Sequence, residues 1–369
     1  MLDQVLEFFD IHPDYDLNLM KPNQTLNGIR RILITILVAM GVGALFIVAI
    51  GENPIDAYAA LFRGAFDGEL RLGTTLAGFT PLLLTSIAFA VAAKAGAFNV
   101  GVEGEVFLGG ITAAYIGINW TFLPKPALYV ACFVGAMVVA AAWAFIPAVL
   151  RAYYNVNEVC TTILMNTVAL YITSYLVSGP MSAGTANAQS LPVTVRLYQF
   201  MKPSSVNVGI FIAAITVIVI IFMLQKSSWG YKIRTVGLNP THADYVGIDS
   251  KKVFVGAMML SGMLGGMAGC IEVLGVHGYF LNNFATGLGS NGMLAALIVK
   301  NNMVSTPFMA FFLAVLKSGA MGMQQSTGVP KSLVDTITAV FIIIATMETA
   351  FQFTKKRKKK TEEKKEDKA

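Results

Sequence analysis

Asn99, Glu103 and Glu105 lie within AGAFNVGVEGEVFLGG, Ala95 to Gly110, a polar segment set in otherwise apolar sequence. A charge near the centre of a bilayer costs at least ~2.5 kcal/mol, and unpaired backbone groups in lipid cost several more. The segment also carries five glycines, each about 1 kcal/mol worse than alanine inside a helix. The segment is therefore expected to be enclosed by other helices or to face water, and its glycines suggest either tight helix contacts or a broken, re-entrant helix lining a cavity. The chemistry open to these groups is hydrogen bonding to a polar solute, since a carboxylate only accepts whereas a carboxamide both donates and accepts. Phe98, Asn99 and Glu103, with Asn166 from a later apolar stretch, are the candidate wall of a translocation path. For Asn99 and Asn166, joining one helix to another is an equal alternative. Glu105 stands roughly 200° round from Glu103, so an unbroken helix would not aim both into one cavity.

Covalent chemistry finds little support. No Gly-Lys dipeptide occurs, which excludes a Walker A phosphate loop, and neither H-E-x-x-H nor G-x-S-x-G is present. The three cysteines are spread over separate apolar stretches and the three histidines are scattered, a pattern of neither disulfides nor metal ligands. No cofactor is expected, and the chain reads as a transport protein rather than an enzyme.

The elements that must hold the polar segment follow from composition. With 55% hydrophobic residues and 13% charged ones over 369 positions, the chain reads as an integral membrane protein. Apolar runs near the ~20 residues of a membrane span recur throughout, and strand-length alternation is absent. The expected fold is all-α and polytopic, with about ten transmembrane helices, some of them broken or re-entrant. Arg30 and Arg31 precede the first run, Ile32 to Ile50, and by the positive-inside tendency keep the N-terminus in the cytoplasm. An outer loop is expected over Gly51 to Leu72, a span over Gly73 to Ala93, the longest outer loop over Ser178 to Ser205, and a polar outer turn over Met321 to Lys331. Thr286 to Val299 is short and glycine-rich, suggesting a second broken element. Lys355 to Ala369 holds nine basic against four acidic residues, leaving 18 against 17 elsewhere. The excess suits a cytoplasmic tail touching anionic lipid, and no nucleic-acid face is implied.

The inner loop reads SSWGYKIRTVGLNPTHADYVGIDSKKV, Ser227 to Val253. Pro240 fits the first turn of a short helix and Gly247 its C-terminal stop. Asn239, Pro240, His242, Ala243, Tyr245 and Gly247 then form a compact handle for a cytoplasmic partner. The competing reading is a solvated loop whose charges only fix topology.

Taken with NEVCTTILMN, Asn157 to Asn166, these stretches make the chain resemble the permease subunits of bacterial ABC importers of the ribose, galactoside and nucleoside class. The resemblance runs from about Gly73 to Thr349 and is strongest to the nucleoside branch. It implies a permease for inward passage of nucleosides or related small hydrophilic solutes, in the bacterial plasma membrane with both termini cytoplasmic. It further implies a second non-identical permease subunit, cytoplasmic ATP-binding subunits and an extracellular substrate-binding lipoprotein. The handle at Asn239 to Gly247 would be the coupling helix, and Glu105 stands where the family commonly has Gln. A sugar or riboflavin importer, or a passive channel, are the competing functions. The expected organisation is a cytoplasmic segment over 1–31, a permease domain over 32–353 with its coupling loop at 225–252, and a basic tail over 354–369.

Overall fold

The computed structural model describes residues 40–49, 51–328, 332, 334–336 and 339. Arg30, Arg31, most of the first apolar run, most of the last one and the basic tail lie outside the described residues. Two compact units divide the chain, one of residues 1–46 with 336–369 and one of 47–335, and the site belongs to the second.

The helices are α1 Met40–Ala49, α2 Pro54–Phe66, α3 Gly68–Lys94, α4 Val102–Asn119, α5 Lys125–Tyr154, α6 Glu158–Ser178, α7 Gly209–Lys226, α8 Ser228–Leu238, α9 Pro240–Tyr245, α10 Ser250–Ile271, α11 Leu288–Ile298 and α12 Thr306–Thr327. A π-helical turn, Glu272–His277, extends α10. The described residues hold no strand, only isolated bridges. Among the described residues six helices are long and apolar enough to cross a membrane: α3, α5, α6, α7, α10 with its π turn, and α12. The count becomes seven if α1 and α2 form one span.

α10 is the central packing element because its small residues remove the side chains that would hold neighbours away. A Cβ on Gly262 would lie 2.7 Å from the Ala140 carbonyl oxygen of α5, and one on Gly265 2.9 Å from Glu105 Cβ of α4. Gly266 and Gly269 meet the backbones of Ala136 and Val106 more closely still. Such close approach lets helices associate through dispersion and backbone contacts where lipid supplies no hydrophobic drive.

Three expectations need correction. Gly51 to Leu72 is not a loop: Asn53 accepts a hydrogen bond from the Ile55 N–H at 3.0 Å, Pro54 opens α2, and α3 begins at Gly68. Its charges decorate the outside of a helix whose Ala57, Leu61, Gly64 and Ala65 are buried, so charge density alone misidentified it. In the stretch expected to be an inner loop, Ser227 caps an additional helix, α8, through the Gly230 N–H at 3.0 Å, burying Gly230, Ile233 and Val236. Met321 to Thr327 continue α12, which ends at Gly328 with φ +73°, a backbone region natural to glycine.

The segment between α6 and α7 has little regular structure, yet several of its backbone groups are paired. Ser190 exchanges hydrogen bonds with Phe280 (N–H to carbonyl 2.8 Å, Phe280 N–H to Ser190 Oγ 2.9 Å). Val193 N–H donates to the Gly278 carbonyl and Leu197 N–H to the Leu274 carbonyl, each at 2.9 Å. Satisfied backbone groups are the condition for irregular chain beside a membrane.

Candidate functional site

The chain breaks between α3 and α4 for a local reason. Gly96, at φ +79°, turns left-handed directly after α3. Ala97 N–H returns to the Ala92 carbonyl at 3.0 Å and Gly96 N–H to that of Ala93 at 3.1 Å, the paired bonds of a Schellman stop. Five irregular residues follow before α4 opens at Val102. The break leaves backbone groups that the helices no longer satisfy.

Asn166 of α6 meets two of them. Its Oδ1 accepts from the Gly104 N–H at 2.8 Å and its Nδ2 donates to the Val100 carbonyl at 2.9 Å. One carboxamide thus joins the last irregular residues to the first turn of α4, using both of its polarities. A Cβ on Gly104 would lie 2.9 Å from Asn166 Oδ1, so the clamp needs glycine there.

Asn99 is fully buried and all its polar atoms are engaged. Oδ1 accepts from the Gly101 N–H at 2.9 Å, while Nδ2 donates to Glu105 Oε1 and to Ser261 Oγ, both at 2.9 Å. Glu105 is 1% exposed, and its Oε2 has no partner among the described residues. Phe98 is half-buried and packs edge-to-face on Phe89, ring centroids 5.0 Å apart.

Glu103 has a different environment. It is partly exposed, and its Oε2 accepts from Ser290 Oγ of α11 at 3.2 Å. The backbone of α11 comes close there, because a Cβ on Gly289 would lie 2.7 Å from Glu103 Cβ. Thr85 Oγ1 of α3 donates to the Leu288 carbonyl at 3.2 Å, fixing the start of α11 from the other side. The structure therefore groups Asn99, Glu105 and Ser261 in one buried network and Glu103 with Ser290 in a second, accessible place. Ser261 and Ser290 were missed as site residues. Ser261, four residues before Gly265 on α10, shares the face that meets α4; that spacing was legible in the sequence, whereas the Ser290 pairing joins positions 187 apart.

The short helix expected over Asn239 to Gly247 is also built. Asn239 Oδ1 accepts from the His242 N–H at 3.1 Å, Pro240 opens α9, and Gly247 turns at φ +81°. Ala243 is buried, whereas His242 is exposed, Tyr245 is 85% exposed and Leu238 just before the cap is 88% exposed. The Asp244 carboxylate accepts from the N–H and Oγ of Ser250, both at 2.9 Å, anchoring α9 to the start of α10. Asp249 caps α10 through the Lys252 N–H at 3.0 Å and pairs with the Lys252 ammonium at 2.9 Å. That backbone N–H, followed by the ammonium, holds the Asp249 carboxyl below its usual range. Tyr245 on α9 and Leu238 at the end of α8 thus leave apolar surface exposed around a short helix fixed at both ends.

A bundle of membrane-length apolar helices with a braced helix break is the architecture of a multi-pass membrane protein. Residues 71–346 match the family described as the branched-chain amino acid transport system / permease component, and the chain belongs to that family. Similar proteins include the guanosine ABC transporter permease protein NupP of Bacillus subtilis, 33% identical over 89% of this chain and 96% of the relative. The glucose ABC transporter permease protein TsgB13 of Haloferax volcanii is 32% identical over 84% of this chain and 85% of its own. The nucleoside ABC transporter permease protein NupB of Lactococcus lactis is 31% identical over 84% and 88%. The chain is thus a multi-pass permease subunit of an ABC transporter, not itself an enzyme, and ATP hydrolysis falls to separate subunits.

Proposed function

We propose that the chain forms, with a second and non-identical permease, the inward path for a nucleoside. Its similarity to a guanosine and a nucleoside permease along most of its length supports this reading. The structural observation that carries it is the partly exposed Glu103 at a helix break where the carboxamides of Asn99 and Asn166 are already paired and Glu105 is buried. A carboxylate with free acceptor capacity suits the hydroxyls of a ribose. Ten crossings follow if α4, α11, the α1–α2 pair and the last apolar run join the six long helices. Both termini are then cytoplasmic, α9 docks on an ATP-binding subunit, and an extracellular lipoprotein delivers solute to the outer face. The relative named for glucose supports a second reading, a sugar path with the same architecture.

Uptake of labelled guanosine, uridine and glucose into cells with and without the complex tests the substrate. Accumulation of guanosine or uridine, dependent on ATP, is expected. Accumulation of glucose alone would replace the nucleoside reading with the sugar one, and ATP-independent flux would leave only a passive channel.

A further inference from the structure

Beyond Glu103, the same face of α4 is covered by aromatic side chains. Phe107, one turn on from Glu103, is 2% exposed and packs edge-to-face with Phe284, ring centroids 5.6 Å apart. Phe284 also meets the rings of Phe280 at 5.2 Å and His277 at 5.8 Å. Its tip reaches α4 itself, because a Cβ on Gly110 would lie 3.0 Å from Phe284 Cζ. Phe284 therefore lies along α4 between Glu103 and the end at Trp120. The chain then returns to Glu103 through Ser290.

The segment that carries Phe284, between the π turn and α11, is irregular, and Gly278, Asn283 and Gly287 all take positive φ in it. It is held in place by residues 188–199. Asn282 N–H donates to the Ala188 carbonyl at 2.9 Å and Ser190 N–H to the Phe280 carbonyl at 2.8 Å, bracketing an antiparallel bridge between Gln189 and Leu281. The same stretch takes up carbonyls at the end of the π turn. Leu197 N–H meets that of Leu274 and Gln199 Nε2 that of Gly275, both at 2.9 Å, and the Arg196 guanidinium that of Val276 at 3.3 Å. Irregular chain held by exchangeable hydrogen bonds can open locally while the helices around it stay folded.

We infer that Phe284 closes the path beyond Glu103 and that residues 188–199 are the strap that keeps it closed, an assignment that rests on the reading of Glu103 as part of that path. Glu103 is partly exposed whereas Phe107, one turn further, is buried under Phe284. The carboxylate is thus open to a solute, and the way past it along α4 is filled. Passage requires the Phe284 segment to withdraw, and its bonds to residues 188–199 are the ones that must release.

The test uses the assembled complex in lipid vesicles, with labelled guanosine, uridine and glucose as probes. Phe284→Ala is expected to let the solute that the parent complex carries cross without ATP, a flux the parent lacks. An assembled Phe284→Ala complex as tight as the parent would overturn the closure. A second variant decides the matter even where Phe284→Ala fails to assemble: Gln189→Cys with Leu281→Cys in a Cys160→Ser background, since Cys132 and Cys270 are buried. Residues opposed in this way stand about 4.5 Å apart at Cα, within disulfide reach. Oxidation of the pair is expected to abolish ATP-driven uptake and reduction to restore it. Undiminished uptake by the oxidised pair would overturn the strap and the inference with it. Glu103→Gln separates the two levels. Normal uptake by that variant would refute the path reading itself, whereas impaired uptake beside a freely transporting oxidised pair would refute the closure alone.

Discussion

Glu103 and Asn166 show how two polar residues beside one helix break come to different tasks. Asn166 spends both ends of its carboxamide on backbone groups of the break, so truncation leaves a donor and an acceptor unpaired. Each such group costs about 1–3 kcal/mol. Asn166→Ala is therefore expected to lower the unfolding midpoint of the purified complex and reduce transport through loss of assembled protein. Glu103 makes one hydrogen bond, to a serine hydroxyl. Glu103→Gln keeps its size while removing charge and half its acceptor capacity. It should impair transport while assembly and basal ATP hydrolysis stay normal. A complex that melted early in Glu103→Gln but normally in Asn166→Ala would reverse the two roles.

At the scale of elements, α9 is six residues long, too short to be stable alone. It exists because Asn239 caps it, Gly247 ends it, and Asp244 anchors it to Ser250. The Asp249 cap below it depends on an ionised carboxyl. Because the folded group is held low, its contribution is full above the ordinary aspartate range and is lost only as pH falls through the depressed value. Replacing His242 to Tyr245 with a Gly-Ser linker should leave the spanning helices folded and release the ATP-binding subunit, read by co-purification. Retention of that subunit with undiminished uptake would remove α9 from the coupling role.

For the whole molecule, the alternation of charged and apolar sequence sets which ends face the cytoplasm. Lys94, Arg151 and the basic residues between Lys226 and Lys252 should share one side, and the segment between α6 and α7 the other. Cysteines introduced between residues 183 and 189 should react with impermeant reagents added outside intact cells. Reaction only after the cells are opened would invert the orientation.

Much of this architecture was determined by the sequence because its physics is local. Apolar length marks membrane spans, Gly96 can turn left-handed after α3, and Asn239, Pro240 and Gly247 delimit α9 through bonds within a few residues. The unusual polarity of Ala95 to Gly110 likewise marked the segment as special, while leaving a helix break and tight helix contacts both open; the structure holds both. What tertiary structure alone decided was the division of labour inside it. Glu103 and Glu105 are equally improbable in lipid, and local energetics rank neither above the other. Their roles depend on Ser261, Asn166 and Ser290, which arrive from 62 to 187 residues away. Only packing of α6, α10 and α11 against α4 selects which carboxylate is buried and which remains accessible.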